Sequence, residues 1–556
     1  MVRFQNSVRG WLHRHCAVNG RLWPTGLRSL CLALLGMAVV NSMVHGEPAE
    51  GPPPPARSIL FFDLWKLDDW HQIDLQCGTP RWRPEGTWID PTEPLRGIHF
   101  PTVWRDAATG RWRMIYSTQW SPFTLMAAES DDGIGWRPLA VPDADPIGGK
   151  RAPHHIFTLP DGAGSTAYID PEQTEGYRFR IFARQDAEPT LARAANDPDH
   201  PWHQAARAGE KGKPYISEAV TLVSGDGLHW ELKTGGHWRW DRPGWHPEPP
   251  VFAFWNSARR QHVMTVRPGW GDRRQCLRFS SDLRTWGDPE LQFQPDSLDT
   301  NGPIGMYGMP VQPVGGGAGY VGLLWIFHNS SSEPVNSFNQ FFGTMDAQLA
   351  YSYDGIRFFR GPRRPLLPRN PSPDPGCSQI RPCSIVETES EIHIYSEAHR
   401  GEHGREAAAQ REAGQTPLGG LVLHTLRRDG WMSLRPSGDW GRIQTKPIVL
   451  WQPEILLNAE ASYGEVLFQI TDEKSRPLPG FGFADCVPLR AADQLRHPLA
   501  WRQADLNSVL RQPVRLEFRF RNASLYGITA SHHFLDAQDA WLLKHGQPLE
   551  TTLFDY

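Results

Sequence analysis

One phrase limits what this chain can fold into. It is Ser130-Asp131-Asp132-Gly133-Ile134-Gly135-Trp136, and it returns four times in altered form. The later copies are centred on Asp226-Gly227, Asp282-Leu283, Asp354-Gly355 and Asp429-Gly430, each followed within a few residues by Trp or Phe. Asp-Gly is hairpin chemistry, because both residues tolerate positive φ. A large aromatic just beyond the turn can fold back and pin it to a sheet. A turn tag recurring at intervals of tens of residues marks a repeat architecture.

Five prolines alternate with the five tags: Pro101, Pro153, Pro249, Pro310 and Pro382. Proline suits a strand start, where no ladder N–H is missed. Between each proline and its tag lie short alternating segments such as Trp112-Arg113-Met114-Ile115-Tyr116 and Glu391-Ile392-His393-Ile394-Tyr395. Each unit therefore predicts a sheet of three to four strands. The expected fold is all-β, a five-bladed β-propeller followed by a small β-sandwich. The 50 Pro, 52 Gly and 24 Trp of the 556 residues fit that turn-rich class. The surplus at 185–214 in the second unit is expected as a surface excursion, and the fifth unit carries another at 401–416 with a short helix.

The tags stop after 445. Val514, Leu516, Phe518 and Phe520 then alternate with charged residues, a period-2 strand with one wet face. The expected domains are an export signal at 1–46, a Pro-rich spacer at 47–57, the propeller at 58–444 and the sandwich at 445–556. Residues 58–70 are apolar and are expected to form a strand that closes a later sheet, and 71–96 to form a loop. The apolar run at 30–40, preceded by Arg14, Arg21 and Arg28, is too short to span a bilayer comfortably. The expected location is secreted or periplasmic, with no membrane span once the signal is removed. A formal charge of −4 gives no electrostatic case for a nucleic-acid partner. Of seven cysteines two lie in the signal, and an odd five remain. Cys377 and Cys383 are close enough to pair, or stay as two thiols. No Cys/His spacing resembles a zinc site, and no metal or cofactor is expected.

Propellers hold ligands at the axis, so residues before the opening prolines are the site candidates: His99, Arg151, Glu248, Tyr307 and Arg381, with His154, His155 and Trp245 beside them. The layout resembles the five-bladed glycoside hydrolases of families 32, 43, 62 and 68, relatives of invertase, levansucrase and arabinanase. More closely, it resembles secreted family-32-like propeller proteins, in which a phrase like Leu426-Arg427-Arg428-Asp429-Gly430-Trp431 here leads into a sandwich with signatures like Asn458-Ala459 and Leu525-Tyr526. The resemblance implies a carbohydrate partner and three inner-strand carboxylates, because one carboxyl must be protonated while another is charged. It places Glu248 as the acid. Asp90, in Trp88-Ile89-Asp90-Pro91, and Glu93 stand in for the base. His99, Arg151, His154, His155, Trp245, Tyr307 and Arg381 would contact the sugar. The first two units depart from the pattern, with His99 and Phe100 in the first and Arg151 and His154 in the second where Asp is expected. A propeller that binds polysaccharide without cutting it is therefore the alternative. A sialidase-like site would use Tyr307 with arginines such as Arg151 and Arg381.

Overall fold

Alternation of apolar and polar side chains builds antiparallel strands nearly throughout the chain. The structure is a computed structural model. It describes residues 54–119, 122–160, 162–174, 176–186, 217–234, 239–240, 250–267, 273–299, 302–330, 342–547 and 549. The export signal and most of the 185–214 surplus lie outside the described residues.

Five antiparallel groups follow one another as blades. Blade 1 runs His99–Arg105, Trp112–Gln119, Phe123–Ser130 and Trp136–Pro138 from inside to outside, with His155–Leu159 also paired to its third strand. Blade 2 orders the short inner strands Gly162–Ala163 and Tyr168–Ile169 before Phe179–Asp186, Ser217–Ser224 and Glu231–Lys233. Blade 3 comprises Phe252–Asn256, Gln261–Val266, Gln275–Ser280 and Glu290–Phe293. In blade 4, Ile304–Gly308 and Val311–Val314 precede Gly319–Asn329, Gly343–Ser352 and Phe359–Arg360. Blade 5 takes Gln379–Glu387, Glu391–His399 and Gly419–Arg427, and its outer strand is Arg81–Trp88 from before blade 1. The chain is an all-β propeller followed by a β-sandwich.

Two local expectations change. The stretch 71–96 is not a plain loop, since it supplies Ile73–Cys77 and the ring-closing Arg81–Trp88. Pro153 does not open blade 2. It precedes His155–Leu159, which adds to blade 1, while the inner edge of blade 2 starts at Gly162.

Side chains sew the inner strands together. Ser384 Oγ accepts from Val103 N (3.0 Å) and donates to Pro101 O (2.9 Å), joining blades 5 and 1. Thr102 Oγ1 accepts from Ala167 N (2.8 Å), joining blades 1 and 2. Ser165 both donates to Val251 O (2.6 Å) and accepts from Val251 N (3.0 Å), joining 2 and 3. Thr265 donates to Met309 O (2.6 Å), and Trp325 Nε1 donates to Pro382 O (2.9 Å). The inner strands enclose a cavity of about 360 Å³ lined by Thr102, Tyr168, Phe252, Trp255, Gln312 and Cys383 among others, with no carboxylate in its lining.

The tags are outer hairpins of one design. In the first four, the Ser hydroxyl donates to the Asp and accepts an N–H three residues on, while the same Asp oxygen accepts two further N–H groups. Three of them are shown docking on the preceding blade. Tyr395 Oη of blade 5 donates to Gly133 O (2.8 Å), Gly227 lies against Trp104, and Asn256 donates to Asp354 O (2.7 Å). Gly133 has φ +77°, and a Cβ there would sit 2.8 Å from Tyr395 Oη, so two constraints select glycine. The fifth tag differs: Asp429 is buried, with φ +58°, and Ser58 Oγ lies 3.4 Å from its carboxylate.

Ser58 belongs to Arg57–Leu60, which pairs with Ser524–Phe534 of the C-terminal sheet, as the apolar run predicts. Leu67–His71 and Ile73–Cys77 join the same sheet. Its core includes Val514, Leu516, Phe518 and Phe520, all essentially buried. Glu517 breaks the wet-face rule, being buried between Arg442 (2.6 Å) and Gln469 (2.7 Å). Among the described residues, none of Cys77, Cys276, Cys377, Cys383 and Cys486 forms a disulfide, so Cys377 and Cys383 are not joined to each other.

Two outcomes follow from this packing. Ser384→Ala orphans the buried Val103 N–H, and denaturant unfolding is expected to show a loss of about 1–3 kcal/mol. At the junction with the sandwich, burial and then the nearby Asp429 raise the Glu387 carboxyl to about 7 from 4.5. The folded chain thus keeps a proton that the unfolded chain releases between those values. Stability contributed by this group is present at low pH and falls as pH rises through that window. Glu387→Gln should be more stable than wild type by on the order of 1–3 kcal/mol at pH 8, with the difference vanishing near pH 4.

Candidate functional site

Strand bulges shape the start of the inner strands. One falls between His99 and Thr102, one between Met306 and Gly308, and one between Pro382 and Ser384. A bulge re-aims a side chain out of the pleat. These three involve Phe100 (φ +51°), Tyr307 and Cys383, beside the candidates His99 and Arg381.

Asp90 lies beneath the rim and is almost wholly buried. One oxygen accepts from Thr92 N and Thr92 Oγ1, both at 2.8 Å. The other accepts from Tyr116 Oη (2.8 Å) and meets His154 Nε2 at 3.1 Å. Burial opposes its charge, but these partners outweigh that and hold its pKa at about 2. Burial, and then the Asp90 carboxylate beside it, push the Tyr116 phenol well up. His154 is as buried as Asp90. His155 accepts from Arg151 N at Nδ1 (3.2 Å), which leaves Nε2 to donate to Phe157 O (3.1 Å). Burial lowers its pKa, so this neutral tautomer persists. Glu93 lies closer to the surface, 3.6 Å from Arg151 Nε and 3.4 Å from Arg96 Nε, and both arginines also reach Gln119.

A second group sits at the seam of blades 5 and 1. Glu397 is fully buried; Oε1 lies 2.6 Å from Arg381 Nε, 3.7 Å from His399 Nε2 and 3.9 Å from His99 Nδ1. Its other oxygen accepts from Phe100 N at 2.7 Å. Burial alone would raise this carboxyl, yet the guanidinium and the two imidazoles hold it well below its usual range. Burial, and then Arg381, push His399 down to about 4. The His99 and His399 rings stack at 5.1 Å.

Tyr307 anchors a third group. Its hydroxyl meets His403 Nε2 at 2.9 Å, and its ring stacks on Trp325 and Phe327. Arg267 and Arg273 lie over the same ring at 4.5 and 4.8 Å. His403 comes from the 401–416 excursion, whose helix is Glu406–Ala413. This segment is more than a surface excursion. His403 N donates to Gly343 O (2.8 Å), and Glu406 reaches Gln379 (3.3 Å) at the head of blade 5.

The structure therefore gathers Asp90 with His154, Glu93 with Arg151, His99 with Arg381, and Tyr307 with His403. Glu248 and Trp245 lie outside the described residues. Sequence reasoning passed over Glu397, His399 and His403. Glu397 and His399 carry one usable signal: they are polar residues on alternate positions of a strand otherwise buried along its length.

No protein-family model matches the sequence, and no curated protein does. Solved structures match at low similarity. A "Glycoside hydrolase" is 16% identical, covers 63% of this chain and 92% of its own, and has a TM-score of 0.38. An N-acetylgalactosamine deacetylase from F. plautii, in complex with blood group B trisaccharide, is 12% identical over 64% and 96%, with a TM-score of 0.40. A Bombyx mori GH32 beta-fructofuranosidase is 11% identical over 81% and 95%, with a TM-score of 0.37. At such scores the chemistry has to be read from the residues.

If Asp90 is held as tightly as its four contacts imply, Asp90→Asn loses more than charge. Its amide N–H2 must either face the Thr92 N–H or turn Tyr116 Oη and His154 Nε2 from donors into acceptors, and denaturant unfolding should show a loss of about 1–3 kcal/mol. Unchanged stability with lost activity would instead assign Asp90 to the chemistry.

Proposed function

We propose that this is a glycoside hydrolase-like, carbohydrate-active protein whose substrate sits at the axial mouth where the inner strands begin. One observation carries the reading. Ionisable and aromatic side chains from blades 1, 4 and 5 converge there, including His99, Arg381, Glu397, Tyr307 and His403, whereas the deeper cavity is lined without carboxylates. Charges are costly to desolvate and collect where a function needs them. The aromatic faces of Tyr307 and its neighbours suit the apolar faces of sugar rings.

In this reading Glu248 donates the proton to the leaving oxygen and Glu93 or Asp90 is the base. Glu93 has the better access of the two, since the Asp90 side chain is 1% exposed and that of Glu93 13%. His99, Arg151, His154, His155, Trp245, Tyr307 and Arg381 bind or support the sugar. The partner is a polysaccharide met after export. Among the described residues no helix is long and apolar enough to cross a membrane.

A second reading, binding without cleavage, has its own support. Both oxygens of Asp90 are already occupied, and His99-Phe100 stands where the first blade would offer an aspartate. Reducing-sugar release over a polysaccharide panel separates the two. Wild type should release sugar, and Glu248→Gln and Glu93→Gln should each lower the rate by about 100-fold or more, as loss of a general acid or base does. Retention on a polysaccharide with no release by wild type sinks the hydrolase and leaves the binding protein.

A further inference from the structure

The seam between blades 5 and 1 holds a group that the proposed acid and base do not use. Glu397 and His399 stand two apart on Glu391–His399, so their side chains leave the strand on one face. His99, at the first position of the inner strand of blade 1, faces them. His99 Nδ1, His399 Nε2 and a Glu397 oxygen all lie within 4.8 Å of one another. Two ligands on one tetrahedral metal stand roughly 3.4 Å apart, so small side-chain rotations bring all three onto a common ion.

Two further observations point to a ligand. His399 Nε2 is buried with no hydrogen-bond partner, and Glu397 Oε1 has the Arg381 guanidinium beside it but makes no well-aligned hydrogen bond. At 3.7 and 3.9 Å, the imidazole nitrogens are too far from that oxygen to bond it, yet close enough to share an ion with it. The surroundings are also cut to fit His399. Gly419 lies opposite it in the sheet, and a Cβ there would come within 3.0 Å of His399 Nδ1.

We propose that His99, Glu397 and His399 form a binding site for a first-row divalent cation of the zinc class. Two imidazole nitrogens and one carboxylate oxygen are borderline donors that suit such an ion, and the partial exposure of His99 leaves an approach from the mouth. The ion would tie the first blade to the last at their axial ends. Arg381 is its competitor. The guanidinium Nε lies 2.6 Å from the same Glu397 oxygen, and the ion takes that oxygen as the guanidinium turns aside. The site stands whether or not the protein cleaves sugars.

Calorimetric titration of the chelator-treated full chain with Zn2+ alone tests it. Wild type should bind about one equivalent. His99→Ala, at the rim of the site, should keep the fold and weaken binding at least tenfold, the order that loss of even a group supporting a ligand costs. Glu397→Gln should weaken it similarly, and Arg381→Met should tighten it by removing the competing cation. Absence of binding by wild type overturns the proposal. So does binding that survives unchanged in both His99→Ala and Glu397→Gln, because the ion is then held elsewhere.

Discussion

The architecture depends on a few hydroxyl and indole groups that satisfy backbone atoms across blade boundaries. A blade's own ladder satisfies its strands, but the inner strand of a propeller has no ladder on its axial side, and a buried unmatched N–H or C=O costs on the order of 1–3 kcal/mol. Ser384, Thr102, Ser165, Thr265 and Trp325 supply the missing partners, one or more at each of the five seams. Because each bond needs both blades in place, the ring of inner strands is set as a unit. The first four turn tags repeat the device on the outside, each closing its own hairpin and presenting a glycine or leucine to the blade before it.

That rigidity is what lets the inner strands carry bulges. A bulge leaves a residue unpaired, which a loose sheet would relax by slipping register. Here the neighbours on both sides are pinned, so His99, Tyr307 and Arg381 hold their directions. Buried charge at the seam is then tolerable. Glu397 has Arg381 and the Phe100 N–H within hydrogen-bonding range, so the desolvation of its carboxylate is offset on the spot.

The scaffold was readable because it is built from local, repeated signals. Asp-Gly turns, opening prolines and period-2 strands each specify structure within a few residues, and together they give the blade sequence and the Val514–Phe520 alternation. What they do not specify is pairing between distant segments. Arg81–Trp88, with its Trp and Pro content, reads as loop until its partner Gly419–Arg427 is known. Pro153 obeys the repeat rule and still belongs to the blade before. The candidate site was partly legible for the same reason. His99, Tyr307 and Arg381 flank the opening prolines, so their place follows from the repeat. Glu397 and His399 sit on a second strand, and His403 on an excursion whose composition says only that it is polar. They join the site through contacts with His99 and Tyr307, from far away in the chain, and no spacing rule reaches that distance.

The route of the chain before blade 1 has a mechanical meaning. Residues 57–77 are woven into the C-terminal sheet, and only then does the chain supply the strand that completes blade 5. The fastening of the propeller thus hangs from the sandwich, as a clasp hangs from the strap that carries it. Shortening the chain at its last blade would leave residues 57–77 with no strands to pair with, and the closing strand would lose its anchorage on the side away from the blade. The sandwich is therefore less an appended module than the far half of the latch, and the two sheets share one cooperative fate.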